Sequence, residues 1–387
     1  MDVIQLVAPH KQYVIDMRRE FHQHPEPSWK ETETSRRIKR ELDSMGIPYR
    51  PAGDPGLVAT IEGAHPGKTV ALRADMDALE VTEANEVDYK SQNPGISHAC
   101  GHDAHMAMLL GAARVLNGIK AEIRGTVKLI FQPAEELVSG AESIIRDGGL
   151  DGVDTIFGIH IIGFLPIGLI CAQAGARLSS ADHFEIRIKG QGGHGGLPHQ
   201  GVDAIVAASA VVMNLQSIVS RECDPTEPVV VSIGMFHAGT RNNVIADSAR
   251  LEGTVRLFNK ELGQQMPGII ERIARSTAQA YRAEAELTYT VGVPPTVNDP
   301  GCAQRAAASI QKIAGEGALF EVPPVTGAED FAFYTEKVPG VFVFLGAGNE
   351  AKGGLYPQHH EKFNIDEDAL ETGTALHVQY ALDFLNE

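Results

Sequence analysis

The chain has 387 residues, a formal net charge of −17 and 43% hydrophobic residues. This length favours two domains, and the hydrophobic fraction is typical of a globular chain with a buried core. The negative charge would repel phosphate backbones, so we do not expect nucleic acid as a partner. We find no run of about 18 apolar residues and no signal-peptide pattern, and therefore expect neither a membrane span nor secretion.

Four cysteines, Cys100, Cys171, Cys223 and Cys302, lie far apart in the sequence. They form no CxxC pair and no disulfide-like cluster, which suits a reducing compartment and predicts a cytoplasmic protein. Only Cys100 has candidate metal ligands beside it.

Helices and strands alternate in the first part of the chain. The predicted helices span residues 4–24, 32–45, 102–117 and 139–147, and the predicted strands span residues 57–63, 68–75, 126–132 and 154–160. Buried strands that alternate with helices indicate an α/β sheet with helices on both faces.

The middle of the chain has a different pattern. Its predicted strands span residues 183–189, 229–236, 249–258 and 285–291, and its predicted helices span residues 202–220 and about 268–282, the latter after Pro267. The resulting β-α-β-β-α-β order is that of a ferredoxin-like fold. The α/β pattern then resumes with helices near residues 302–314, 329–336 and 366–385 and a strand at 341–347. We therefore predict a mixed-sheet α/β domain, residues 1–176 plus 294–387, interrupted by an inserted ferredoxin-like α+β domain, residues 177–293.

The segment HACGHDAH, residues 98–105, gathers three histidines, a cysteine and an aspartate. A redox loop, a structural zinc site and a catalytic metal centre are the three hypotheses. A redox loop lacks a resolving cysteine, and a structural zinc site usually closes with four Cys or His ligands at short spacing. Cys100 and His102 are two residues apart, so both can face one metal ion from an extended turn.

Further candidate ligands lie where the predicted strands end. In chain order they are Asp75 and Asp77, Glu135 and Glu136, His160, and His359 and His360. Ligands of open α/β sheets collect at the carboxyl ends of strands, so we expect these segments to share one edge. Thiolate, imidazole and carboxylate suit zinc, and also cobalt, nickel or manganese. In the Glu135–Glu136 pair, one carboxylate can bind metal while the other reaches a water, which is what metal-assisted hydrolysis needs.

Other polar residues are expected to have lesser roles. His105 is expected to pack or to support a ligand, and His22 and His24 are expected to be surface or packing residues. A G-x-G-x-x-G pattern at residues 190–195 lacks the acidic residue of a dinucleotide-binding unit. We expect its glycines to let His194 approach a substrate instead.

Several motifs occur together and in a characteristic order. They are HPEPSWKETETS, RADMDAL, HACGHDAHMAMLLGAA, FQPAEE, the histidine at 160, GQGGHGGLPH, NNVIADSA and HHEKFNIDEDAL. With them the whole chain resembles the aminoacylase/carboxypeptidase family of two-metal amidohydrolases, in the branch of hippurate hydrolase, indole-acetyl-amino-acid hydrolases and N-acetyl-diaminopimelate deacetylases. The chain departs from that pattern at His360 and Glu361, where a small polar residue and proline are usual, and at Ala246, where proline is usual.

The resemblance implies a role for each matching residue. It implies two divalent metal ions, with zinc, manganese, cobalt or nickel as candidates, and Cys100 as the bridging ligand. The implied metal ligands are Cys100, His102, Glu136, His160 and His359. Glu135 matches the general base, His194 the residue that helps hold the oxyanion, and Asn243 the residue that binds the substrate carboxylate or carbonyl. Arg256 is a nearby cation that we expect to assist in carboxylate binding.

The expected function is metal-dependent hydrolysis of the amide bond of N-acyl-amino acids, by attack of a metal-activated hydroxide with Glu135 as general base. A dipeptidase or carboxypeptidase with the same metal centre is the first alternative, and a non-catalytic metal-binding protein is the second. In this family the inserted domain often pairs two subunits as well as covering the site, so we expect a homodimer. The sequence leaves open whether His194 acts in its own chain or in the partner's.

Overall fold

The computed structural model describes residues 1–352 and 355–387. These residues divide into two compact units. Unit 1 comprises Met1–Arg177, Thr296–Pro323 and Glu329–Glu387, and unit 2 comprises Leu178–Pro295 and Pro324–Ala328.

The α-helices of the described residues are, in chain order, α1 (Val3–Val7), α2 (Lys11–Gln23), α3 (Thr32–Met45), α4 (His102–Gly118), α5 (Gly140–Arg146), α6 (Ala204–Leu215), α7 (Lys260–Ala280), α8 (Pro300–Ala314), α9 (Phe331–Thr335) and α10 (Ala369–Leu385). The strands are β1 (Tyr49–Pro51), β2 (Leu57–Glu62), β3 (His65–Asp75), β4 (Arg124–Gln132), β5 (Thr155–Pro166), β6 (Ile170–Cys171), β7 (Gly175–Leu178), β8 (Ala181–Lys189), β9 (Gly193–His194), β10 (Val229–Ala238), β11 (Val244–Ile245), β12 (Ser248–Leu257), β13 (Glu284–Val293), β14 (Thr296–Asn298) and β15 (Gly340–Gly348).

Unit 1 is built on a mixed seven-stranded sheet with the order β1-β2-β4-β3-β5-β15-β6. The central strands β4, β3, β5 and β15 are parallel, and the outer pairings are antiparallel. Parallel strands run towards the same edge, so the segments that follow β3 and β4 meet there, beside the middle of the longer strand β5. This confirms the predicted α/β fold class.

Helices cover both faces of this sheet. Phe157 of β5 stacks on Tyr380 of α10, with ring centroids 4.3 Å apart. The next residue, Gly158, points to the other face, where a Cβ would lie 2.8 Å from the ring of Phe331 in α9. Glycine at this position therefore lets α9 pack directly on the sheet.

Unit 2 has a four-stranded antiparallel sheet with the order β10-β12-β8-β13. Alternate residues of β8 (Phe184, Ile186 and Ile188) are buried in one core with residues of α6 and α7. The residues between them, such as Glu185 and Arg187, lie on the open face and pair with each other. The element order is β-α-β-β-α-β, as the alternating polar and apolar pattern predicts.

One described helical segment, Ala204–Glu222, is long and apolar enough to cross a membrane by length and composition alone, and a third of its most apolar window is buried within the protein. A core helix passes the same test, and Ala207, Ala208 and Val211 of α6 are buried in unit 2. This is weak evidence for a span, and the expectation that nothing spans a membrane stays a prediction.

Two predicted helices had the wrong extent. The helix predicted at 4–24 is interrupted by a 3-10 turn at Ala8–His10, because Pro9 lacks the N–H that would continue an α-helix. The helix predicted after Pro267 begins earlier as α7, since the side chain of Asn259 accepts the Glu261 and Leu262 N–H groups and caps it. Pro267 therefore lies inside α7.

Candidate metal centre

The register of the unit 1 sheet places the candidate residues Asp75 and His160 near each other. Asp75 ends β3 and pairs with Gln132, the last residue of β4. Arg73 pairs with Gly158 on the neighbouring β5. Asp75 and His160 each lie two residues beyond this last pair, beside the end of β3. The strand predicted to end at residue 160 is longer, because β5 stays paired with β15 up to Pro166.

Cys100 and His102 reach this edge from the start of α4. Gly101 between them has φ 93°, and a Cβ at that position would collide with the side chain of Ile161. Only glycine both adopts this positive φ readily and has no side chain to collide with Ile161. The turn places Cys100 Sγ 3.5 Å from His160 Nε2.

The five predicted metal ligands come together in two overlapping triads. Cys100, His102 and His160 form one triad, and Cys100, Glu136 and His359 form the other. Within each triad the candidate ligand atoms all lie within 4.8 Å of one another. His359 Nε2 is 3.4 Å from Glu136 Oε2. Cys100 is the residue that the two triads share, so it would contribute to holding an ion in either one.

The hydrogen bonds of His102 and His160 leave the Nε2 atom of each ring available as a metal ligand. His102 Nδ1 donates to the backbone oxygen of Asp77 at 2.9 Å, and His160 Nδ1 donates to the Ile161 oxygen at 2.8 Å. A carbonyl only accepts, so each Nδ1 carries a proton, and in the neutral ring each Nε2 then has a lone pair. His102 Nε2 and Glu136 Oε1 are buried without a hydrogen-bond partner. Buried acceptors of this kind need a donor or a metal ion, so these residues fit a divalent cation.

The charges around the triads also favour cations. Arg73 is fully buried and lies 2.6 Å from Asp75, 2.9 Å from Glu329 and 3.0 Å from Asp330. If these three carboxyl groups and Glu135 were all ionised, the single charge of Arg73 would not balance them. Burial, reinforced by the neighbouring Glu329, raises the pKa of Glu135 well above its ordinary value. A bound dication would offset this excess of negative charge.

Cys100 lies in the same environment. Burial, with the charges of Glu136 and Glu135, raises the pKa of its thiol well above the ordinary value. Without a cation the thiol is therefore protonated and a weak nucleophile, which argues against the redox hypothesis. A metal ion reverses this, because a coordinating thiol is deprotonated.

His105 supports the site and lies outside the two triads. Its Nδ1 is 2.6 Å from Asp75 Oδ1, and its Nε2 accepts the Ile161 N–H at 2.9 Å. The acceptor role of Nε2 means that Nδ1 donates to Asp75. His105 therefore ties β5 to β3 directly behind the ligands.

His22 and His24 were expected to be surface or packing residues: His24 is exposed, and His22 is buried in a network that was not predicted. His22 is buried, with Nδ1 2.7 Å from Asp103 Oδ2 and Nε2 3.2 Å from Glu83 Oε1. Arg18, one helical turn earlier, is also within 3.0 Å of Asp103. The sequence signal for this network was the pair Arg18 and His22, two polar residues four positions apart on the buried face of α2.

Sequence analysis also missed the acidic pair Glu329–Asp330 and its partner Arg73. A charged residue in the middle of the apolar strand VALRAD was the available signal for Arg73. The acidic pair interrupts the apolar run AEDFAF and gave a similar signal.

Backbone strain concentrates around the triads. Among the described residues, the non-glycine residues with positive φ are Trp29, Ala134, Val138, Arg282 and His359. Ala134 and Val138 flank the Glu135–Glu136 pair, His359 is a candidate ligand, and Trp29 donates to Ser139. Left-handed backbone costs of order 1–3 kcal/mol per residue and clusters at functional sites.

His194 and Asn243 are neighbours in unit 2. His194 pairs with Val244 across β9 and β11, and the Gly195 N–H donates to the Asn243 oxygen at 2.8 Å. The Gly196 N–H donates to His194 Nδ1 at 3.0 Å. Since Nδ1 is an acceptor, the neutral ring carries its proton on Nε2, which is left as a hydrogen-bond donor.

Arg256 lies away from this pair within unit 2. The Gly190 N–H donates to the Asp247 oxygen at 2.8 Å, so the segment with His194 joins the Ser248 end of β12. Arg256 is eight residues along the same strand, roughly 26 Å away at the usual strand rise. The structure of unit 2 therefore does not bring Arg256 to Asn243, with which it was predicted to hold the substrate carboxylate.

Comparisons with known proteins agree with this geometry. The model of peptidase family M20/M25/M40 matches residues 71–383. The chain is 40% identical over 380 residues to thermostable carboxypeptidase 2 of Saccharolobus solfataricus, covering 97% of this chain and 96% of the relative. It is 41% identical over 371 residues to N-acetylcysteine deacetylase of Bacillus subtilis, covering 95% and 96%.

A solved structure is also similar: the YXEP protein of Bacillus subtilis, described as a dinuclear metal binding peptidase from the M20 family. It has a TM-score of 0.88 and 37% identity, covering 98% of this chain and 99% of that one. The chain belongs to peptidase family M20/M25/M40. It is a hydrolase of that family, and this confirms the resemblance inferred from the motifs.

His359 and His360 allow a matched test of the ligand set. His360 stacks on Tyr356 with ring centroids 4.5 Å apart and accepts the Lys362 N–H, so it belongs to neither triad. We expect His359→Ala to lower the metal-to-protein ratio measured by elemental analysis, and His360→Ala to leave it unchanged. The opposite result would mean that the ligand position is shifted by one residue.

Proposed function

We propose that the protein hydrolyses the amide bond of N-acyl-amino acids with two divalent metal ions held by the triads that share Cys100. The observation that carries this proposal is the buried carboxyl of Glu135 beside a ligand set that already includes Glu136. His102 Nε2 lies 3.9 Å from Glu135 Oε2 and 3.9 Å from Glu136 Oε1. Zinc, manganese, cobalt and nickel all suit these ligands. Bound ions would polarise the substrate carbonyl and acidify a water.

Glu135 is the proposed general base. It lies outside both triads and is adjacent in sequence to a ligand, so its carboxylate can take the proton from the attacking water. The same carboxyl then returns the proton to the leaving amine. Burial raises the pKa of this carboxyl above its ordinary value, the direction that favours proton uptake from the attacking water.

His194 and Asn243 are proposed to bind the substrate. The Nε2–H of His194 is the donor for the oxyanion of the tetrahedral state. Asn243 lies in the turn just before the adjacent strand β11 and offers an amide to the substrate carboxylate or carbonyl. The hydrogen bond from the Gly196 N–H to His194 Nδ1 supports this role because it keeps the proton on Nε2.

A carboxypeptidase is the second candidate, since the chain is 40% identical to the thermostable carboxypeptidase and 41% identical to the deacetylase. A panel of acetyl- and benzoyl-amino acids and of free-amine dipeptides separates the two, with amine release as the readout. We expect turnover of the acylated compounds, restored by manganese, cobalt or zinc after chelation. Turnover restricted to dipeptides would favour the peptidase, and none with any metal would contradict both.

The adjacent glutamates should respond differently to substitution. Glu135→Gln keeps the size of the side chain but cannot take a proton, so we expect turnover to fall by about 10² to 10⁴-fold while metal content persists. Glu136→Gln removes a charged ligand, so metal content itself should fall. Equal metal loss in both variants would contradict this division of roles.

We also propose a homodimer formed through unit 2. Two observations support it. β10 forms an edge of its sheet, with no strand on its outer side among the described residues. Met235 and Phe236 on that strand are exposed. Val206 and Met213 are exposed on α6, which packs beside β10. Unpaired sheet edges and apolar patches of this kind favour pairing with a second chain.

The proposed dimer allows a test of whether His194 acts in its own subunit or in the partner subunit. Inactive His194→Ala subunits are mixed with inactive Glu135→Gln subunits and allowed to exchange. If His194 serves the partner's site, the mixed dimer holds one site with both groups intact, and part of the activity returns. No recovery after verified exchange would show that His194 acts within its own chain or not at all.

A further inference from the structure

The turn between β4 and α5, residues 133–139, presents Glu135 and Glu136. We call it the glutamate turn. Two of its residues have left-handed backbone, Ala134 with φ 51° and Val138 with φ 48°. Non-glycine residues hold such a conformation only when their surroundings fix it. The contacts that fix this turn therefore decide where the Glu135 carboxyl points.

Two buried carboxylates accept the N–H groups on either side of Glu135. Glu31 Oε1 accepts the Ala134 N–H at 2.8 Å, and Asp77 Oδ2 accepts the Glu136 N–H at 3.0 Å. Asp77 also hydrogen-bonds His102, so its removal would disturb the ligands directly. Glu31 has no hydrogen bond or ion pair with any of the five candidate ligands.

Helix capping does not explain Glu31. It occupies the N-cap position of α3, but its side chain makes no capping hydrogen bond. The carboxylate of Glu26 does this instead, accepting the Glu33 and Thr34 N–H groups at 3.2 and 2.8 Å. The side chain of Glu31 turns away from the helix that it begins and reaches a turn about one hundred residues further along the chain.

The state of the Glu31 carboxyl fits a hydrogen-bonding role. The residue is fully buried, and Oε2 has no hydrogen-bond partner. Burial raises the pKa of Glu31 to about 7, although backbone N–H groups, including that of Ala134, lower it. A neutral carboxyl still accepts through Oε1, and glutamine can do the same with its amide oxygen. Glutamine is therefore a matched replacement.

Trp29, two residues earlier, contacts the far end of the same turn. Its Nε1–H donates to Ser139 Oγ at 3.2 Å, and its own backbone is left-handed with φ 64°. Ser28 donates to Asp77 at 2.7 Å. The segment Ser28–Glu31 thus reaches both ends of the glutamate turn. Trp29 is the single tryptophan of the sequence, so its fluorescence reports on this contact alone.

We propose that Glu31 is a positioning residue, whose hydrogen bond to the Ala134 N–H holds the glutamate turn so that the Glu135 carboxyl meets its water. This inference rests on the proposed role of Glu135. Removal of the acceptor would let the turn relax from its left-handed conformation. Misplacement of a catalytic group by about 1 Å can cost on the order of 10²-fold in turnover.

The test compares Glu31→Gln, Glu31→Ala and Glu31→Met with the wild-type enzyme. Glu31→Met keeps much of the volume without an acceptor, and it replaces Glu31→Ala if the smaller side chain prevents folding. We expect the two variants without an acceptor to lose about 10 to 10²-fold in kcat, with KM and metal content within about twofold of wild type. Glu31→Gln should retain most of kcat.

Trp29 fluorescence provides a readout apart from activity. Its emission maximum should shift in Glu31→Ala and Glu31→Met, both with metal bound and after chelation, and should stay unchanged in Glu31→Gln. A purely structural role would lower the thermal unfolding temperature without lowering kcat of the folded enzyme.

Three results would overturn the proposal: full kcat in the variants without an acceptor, equal loss in Glu31→Gln, or metal loss in place of kcat loss. Failure of the proposed function has a different signature, because Glu135→Gln would then keep wild-type turnover. In that case the positioning role of Glu31 fails with it, whatever Trp29 reports about the turn.

Discussion

The cluster of buried carboxyl groups at the carboxyl edge of the unit 1 sheet is the constraint on which the site depends. Asp75, Glu329 and Asp330 surround one guanidinium, that of Arg73, and Glu135 and Glu136 lie close by. Burying carboxylates without compensation is expensive, since each loses its hydration. Two divalent ions in the triads would supply the missing positive charge, so metal binding and the stability of this edge are linked.

The same edge explains the network behind the ligands. Arg73 also donates Nε–H to Gln132 at 2.9 Å, and Tyr334 donates to the same oxygen at 3.0 Å. This joins the ends of β3 and β4 to α9. Asp77 holds His102 Nδ1 and the Glu136 N–H, and the Ile161 oxygen holds His160 Nδ1. Such support fixes ring orientation and raises the basicity of metal-binding imidazoles.

Much of this could be predicted from sequence, and the rest fails for identifiable reasons. Parallel strands share a carboxyl edge, so the meeting of Asp75, Glu136 and His160 followed from strand order alone. Alternating polarity indicated the open face of the unit 2 sheet in the same way. Arg73 was missed because its partner Glu329 is 256 residues away, and only the fold brings them together. Arg256 was misplaced because a sequence pattern does not show which end of a strand faces a neighbouring loop.

Anomalous X-ray scattering from crystals grown with zinc tests the central claim most directly. We predict two anomalous peaks on either side of the Cys100 sulfur, each at about 2.3 Å, the usual zinc–sulfur distance. One peak should contact His102 and His160, and the other Glu136 and His359. A single peak closed by four protein ligands, or peaks remote from Cys100, would contradict a two-metal centre bridged by this thiolate.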